Sequence, residues 1–133
     1  MYYMVCKDPP KLMRIRSPDR LQSVGPGKYG FTIGWDELMA SHAHEGGRPS
    51  DITYVIREGV RHGRLENLET GRLLRRKFSQ KDVNGGNVVY VINDNPMSTN
   101  DSFVFRLHDE HQNFLDDHRS AFISISILLI LNM

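Results

Sequence analysis

Wherever the chain shows a hydrophobic period, that period is two. The run VVYVI at 88–92 is β-branched and aromatic throughout and follows the turn Asn84-Gly85-Gly86-Asn87, the pattern of a strand entered from a tight reversal. In FVFRL, at 103–107, Phe103, Phe105 and Leu107 fall on one face and Val104 with Arg106 on the other, because successive side chains alternate across a strand. Residues 121–127 repeat the pattern, with Ile123, Ile125 and Ile127 opposite Ser124 and Ser126. The same reasoning predicts strands at 11–15, 29–33 and 52–56.

Helical signal is sparse. WDELMA at 35–40 predicts a turn or two of helix. Ser79-Gln80-Lys81-Asp82 has the Ser-x-x-acid spacing of a helix start, and Asn84-Gly85 stops it within one turn. Short strands spaced by Gly, Pro and Asn predict an all-β sandwich. No internal repeat is present, and 133 residues supply one core rather than two. Asp8-Pro9-Pro10 suits a stiff linker. The expected organisation is therefore a linker or the end of a preceding unit at 1–10, one domain at 11–127, and an atypical apolar tail at 128–133.

Composition narrows the class without naming a task. Apolar residues make up 39% and charged residues 25%, so the chain can bury a core. A net charge of +1 supplies no global field for nucleic acid or membrane surfaces. The charge is nevertheless uneven: seven Arg and Lys face three Glu over 57–77, whereas 94–117 holds six acids and only Arg106. Cys6 is the single cysteine and cannot form an internal disulfide. MYYMVCKDPP lacks the basic, apolar and small-residue regions of a signal peptide. ISISILLILNM at 123–133 is shorter than the roughly 20 residues of a spanning helix. If the chain is exported, its signal is expected on another part of a longer protein.

The order of pieces across 52–109 carries a resemblance. ITYVI, RHGRLE, FSQKDVNGG, VVYVIND and NDSFVFRLHDE follow one another, with Tyr54, Gly63, Leu65, Phe78, Gln80, Asp82, Gly86, Val88, Tyr90, Asp101, Phe103, Phe105 and Asp109 in register. This resembles the chondroitin sulfate proteoglycan repeat of Fras/Frem extracellular-matrix proteins and of the melanoma-associated chondroitin sulfate proteoglycan. The resemblance implies a cadherin-like or immunoglobulin-like antiparallel β-sandwich of about seven short strands with one or two helical turns. It further implies a non-enzymatic extracellular module, secreted or in an ectodomain, that serves as spacer and protein-interaction surface in a basement-membrane or cell-surface protein. Matrix proteins or collagen, sulfated glycosaminoglycan and neighbouring repeats of the parent chain are the implied partners. Neither nucleic acid nor membrane insertion is expected.

Several residues could carry chemistry, and each has a plainer reading. Asp94, Asp101 and Asp109 offer the oxygen ligands calcium prefers, but no ordered ligand spacing accompanies them, and an Asx-rich turn needs no ion. His42-x-His44 and His108-x-x-His111 are the histidine pairs, the first with strand-face spacing; both also read as solvated loops. No nucleophile on a rigid turn accompanies His108 and Asp109, so no catalytic residue or cofactor is expected. Arg72, Arg75, Arg76 and Lys77 form the densest basic run, a glycosaminoglycan-binding candidate or a solvated surface. Asn100-Asp101-Ser102 is the one glycosylation sequon, with Asn100 as acceptor.

Overall fold

A computed structural model describes residues 9–18, 21–42, 47–92, 100–111 and 113–123. These form strands β1 (Lys11–Ile15), β2 (Gln22–Gly25), β3 (Lys28–Thr32), β4 (Leu38–Ser41), β5 (Thr53–Glu58), β6 (Gly63–Asn67), β7 (Lys77–Ser79), β8 (Val88–Ile92), β9 (Asn100–His108) and β10 (Phe114–Ile123), with helix α1 (Gln80–Asn84) between β7 and β8. A single 3-10 turn, Pro49–Asp51, precedes β5. One sheet runs β2-β3-β8-β6, a second β10-β9-β5-β7, and β1 pairs with β4 alone. Every pairing is antiparallel. The antiparallel β-sandwich expected from the sequence is the fold.

The two large sheets share one core. Phe31, Leu65, Val88 and Tyr90 come from the first sheet, and Tyr54, Phe78, Phe103, Phe105 and Leu107 from the second. Tyr54 stacks on Phe78 at 5.0 Å and meets Phe105 edge-on at 5.1 Å, while Phe78 meets Phe103 edge-on at 6.1 Å. Such ring pairs add roughly 0.5–1.5 kcal/mol each beyond the area they bury. β8 lies between β3 and β6 and is buried on both faces, with Val24, Val89 and Val91 packed together on its outer side. That double burial is why its sequence is continuously apolar rather than alternating. Gly63 opens β6 directly against it. A Cβ there would lie 2.3 Å from the Val91 carbonyl oxygen and 2.6 Å from the Tyr90 ring, so only glycine admits that close approach.

The small β1–β4 sheet joins the rest through Leu38 and Ala40, which enter the common core, and through one buried polar side chain. Gln80 Oε1 accepts from the Ala40 N–H at 2.9 Å and from the Tyr54 hydroxyl. Gln80 Nε2 donates to the Leu38 carbonyl at 3.2 Å and to Asn84 Oδ1 at 2.9 Å. Gln80 thus links β4, β5 and α1 with all four of its side-chain bonds made. The helix itself has the reciprocal cap its sequence predicts: Asp82 N–H donates to Ser79 Oγ, and Ser79 N–H to Asp82 Oδ2, each at 3.0 Å.

Two expectations need correction. The helical turns expected at 35–40 are a single turn followed by β4, because Leu38 and Ala40 alternate into the core while Met39 and Ser41 lie half-buried. The strand count is ten among the described residues rather than about seven. β2, β6 and β7 are short and carry one apolar side chain each, so their pairing comes from their neighbours rather than from their own pattern. Residues 1–8 of the expected linker at 1–10, and the tail at 128–133, lie outside the described residues.

Candidate functional site

The basic run sits on a strap that belongs to both sheets. It begins with a reversal after β6, where Asn67 Oδ1 accepts from the Glu69 and Thr70 N–H groups at 2.9 and 3.1 Å. Gly71, at φ +74°, takes the left-handed conformation that glycine reaches without strain and donates to the Asn67 carbonyl at 2.7 Å. The chain then returns along β6: Asn67 N–H donates to the Arg72 carbonyl and Leu74 N–H to the Leu65 carbonyl, both at 2.8 Å. Two residues on, it has changed partner. Ile56 N–H donates to the Arg76 carbonyl at 2.7 Å, and Lys77 pairs with Val55 of β5. The strap covers the edge of β6 that would otherwise present free ladder groups.

Anchoring and display are divided between alternate residues. Leu74 packs on the core and Phe78 is buried, whereas Arg72, Arg75, Arg76 and Lys77 are exposed. None of these four cations has a carboxylate partner among the described residues. Lys77 is opposite Val55, and Val55 opposite Arg106, so the two cations flank one valine on the outer face of the sheet. Arg106 in turn lies 4.7 Å above the Phe114 ring. Behind the strap lies a cleft of about 390 Å³, lined by Ile56, Val60, Leu65 and Leu74 together with Arg64 and Arg75.

Arg64 is already committed. Its Nε donates to Glu66 Oε2, and Lys28 Nζ reaches Glu66 Oε1 at 3.0 Å. Burial raises the Glu66 carboxyl, but the hydrogen bonds from Arg64 and Lys28 outweigh it and hold the group below its usual range. The strap cations have no such acid beside them. Guanidinium forks presented in this way suit sulfate or carboxylate oxygens, in contacts that salt weakens. Arg106 was not singled out from the sequence, where it is an isolated base in an acidic stretch. Its outward position in the alternation of β9 was the available signal, and the register of β5 supplies the rest.

The calcium candidates are dispersed. Asp101 Oδ1 accepts from the Arg61 and Ser102 N–H groups at 2.9 and 2.8 Å, and Oδ2 from the His62 N–H at 2.8 Å and the Tyr90 hydroxyl at 2.7 Å. Asp109 closes the β9–β10 hairpin: Oδ1 accepts from the His111 and Asn113 N–H groups at 2.9 Å each, and Oδ2 from Asn113 Nδ2 at 3.1 Å. Burial raises the Asp109 carboxyl and these hydrogen bonds more than reverse it. Eight residues of strand separate the two aspartates by roughly 26 Å, so they do not share a site. Asp94 lies outside the described residues, as does His44. His108 stacks on Phe114 at 5.6 Å, while His111 Nε2 lies 3.4 Å from Glu110 Oε1. Asn100 is the first residue of β9, opposite Ile123.

A family described as cadherin-like matches residues 32–127. The chain belongs to the cadherin-like family. The resemblance to the Fras/Frem repeat is thereby borne out. This cadherin-like chain is 33% identical over 103 residues to FRAS1-related extracellular matrix protein 1 of Homo sapiens, covering 77% of the chain. It is 28% identical over 106 residues to Extracellular matrix protein 3 of Lytechinus variegatus, and 24% identical over 100 residues to FRAS1-related extracellular matrix protein 2 of Homo sapiens. These matches cover 80% and 75% of the chain. The matched segment spans only 5%, 3% and 3% of those relatives, in the same order. No solved structure matches. Among the described residues, no helix is long and apolar enough to cross a membrane.

Proposed function

We propose that this chain is a non-enzymatic extracellular-matrix repeat, one module of a long array, acting as spacer and protein-interaction surface. The observation that carries this reading is the scale of the match: one sandwich aligns with 3–5% of matrix proteins many times its length. The internal chemistry supports it. Among the described residues the buried polar side chains are Glu66, Gln80 and Asp109; Gln80 and Asp109 spend their hydrogen bonds on scaffold groups, and Glu66 is taken up by Arg64 and Lys28. The test is small-angle scattering of this module alone and joined to its neighbours, with surface-plasmon binding to immobilised collagen and basement-membrane proteins. The expected outcome is a maximum dimension that grows by about one module per repeat, together with saturable binding. A collapsed tandem that binds neither surface would overturn the reading.

A second reading makes the strap a glycosaminoglycan-binding site. It is favoured by the exposure of Arg72, Arg75, Arg76 and Lys77 and by the placement of Arg106 beside Lys77. Heparin affinity chromatography decides it. The double substitution Arg75→Glu and Arg76→Glu should elute at clearly lower salt than the parent chain. Elution at unchanged salt would remove the idea.

A further inference from the structure

His42 follows β4 directly, and its side chain is only 4% exposed. Its Nε2 lies 3.2 Å from the Arg48 carbonyl oxygen. A carbonyl only accepts, so Nε2 carries the proton, and in the neutral ring Nδ1 then presents a lone pair. That nitrogen faces Glu110 Oε2, on the β9–β10 hairpin, at 3.5 Å. Asp51, from the 3-10 turn, completes the group: one ligand atom from each of His42, Asp51 and Glu110 lies within 4.8 Å of the other two. The Arg48 guanidinium donates to Asp51 Oδ2 at 3.3 Å. One imidazole nitrogen and two carboxylates thus converge from three separate parts of the chain.

We propose that His42, Asp51 and Glu110 form a binding site for a divalent cation of the zinc type. One imidazole nitrogen and two carboxylate oxygens are a three-ligand set for zinc, which leaves a fourth position for water. Calcium takes six to eight oxygens and has no use for the imidazole. The Nε2–H bond to the Arg48 carbonyl is the outer contact that fixes tautomer and ring orientation in metal-bound histidines. Zinc ligands sit about 2.0–2.2 Å from the ion, so the three atoms must draw together slightly. Glu110 stands on a hairpin tip, and the Arg48 side chain that donates to Asp51 is 76% exposed, so water can replace it there. The bound ion clips the loop after β4 to the hairpin at one end of the module.

The test uses the whole chain, freed of metal by a chelator. Zinc is titrated by calorimetry and by thermal unfolding, and cobalt is added as a spectroscopic stand-in. The expected result is one-to-one binding, a raised melting temperature, and the intense visible bands of four-coordinate cobalt. Glu110→Gln, at a half-exposed position that the fold tolerates, should weaken zinc by more than the roughly 10–100-fold that loss of an outer-shell partner costs. His42→Ala should abolish the cobalt bands. Unchanged affinity in Glu110→Gln would place the ion elsewhere and overturn the proposal. A melting temperature indifferent to zinc would leave the three side chains paired only with protein groups and overturn it equally.

Discussion

The phenol of Tyr90, on β8 of one sheet, donates to Asp101 Oδ2, on β9 of the other, at 2.7 Å. Three backbone N–H groups from Arg61, His62 and Ser102 complete the carboxylate's four acceptor positions. Asp101 thereby fixes the approach to β6, the start of β9 and the ring that Gly63 must accommodate. Tyr90→Phe removes one charge-assisted bond and should cost about 1.5–3 kcal/mol. Asp101→Asn should cost more, because an amide nitrogen would face N–H donors it cannot accept. Urea unfolding of the two variants checks the order, and a reversed order would show that Asp101 does not organise this junction.

The same pair predicts an alkaline limit. Burial first, and then the hydrogen bond to Asp101, push the Tyr90 phenol far above its ordinary value, and burial does the same to Tyr54. A raised folded pKa contributes stability that is complete below the unfolded value of about 10 and is lost as pH rises above it. Melting temperature should therefore fall above about pH 10, and fall less steeply in Tyr90→Phe.

On the acid side the sign reverses. Glu66 is held below its usual range between Arg64 and Lys28. Its contribution is present above the unfolded value of about 4.3 and is lost as pH drops through the folded one. Glu66→Gln should be less stable than the parent at pH 7, with a shallower decline below pH 4.5. Parallel curves would mean that the three charges are indifferent to one another.

Gly63→Ala tests the close contact between β6 and β8. The added methyl would have to occupy space 2.3 Å from the Val91 carbonyl oxygen. A loss of about 1–3 kcal/mol is expected from overpacking, read by urea unfolding. A neutral Gly63→Ala would show that the two strands separate readily.

Gln80→Leu removes a side chain that meets four partners in three elements. Ala40 N–H and the Tyr54 hydroxyl would be left buried and unpaired, each at roughly 1–3 kcal/mol. The predicted total loss is about 2–6 kcal/mol, with early amide exchange at 38–41 because β4 is loosened. Protection at 38–41 equal to the parent would contradict that role.

What the sequence disclosed was whatever depends on a strand's own burial. β8 and β9 carry their core faces in plain alternation or continuous β-branched residues, and the capped turn at 79–84 advertises both its ends. The strap was opaque because its geometry depends on pairing at a distance. Nothing local in RLLRRK states that Leu73 pairs with Glu66 while Lys77 pairs with Val55. The meeting of His42 with Asp51 and Glu110 was hidden likewise, since those residues are 9 and 68 positions apart from His42 in the chain.

The strap also has a mechanical meaning. Residues 72–74 are bonded to one sheet and 76–77 to the other, so the sheets cannot slide past each other without stretching the short segment between. A polyanion gripping Arg72 and Lys77 together would brace that segment from outside, like a splint across a joint. In a matrix under tension, occupancy of the basic surface and resistance of the module to shear would then be one variable, read from either side.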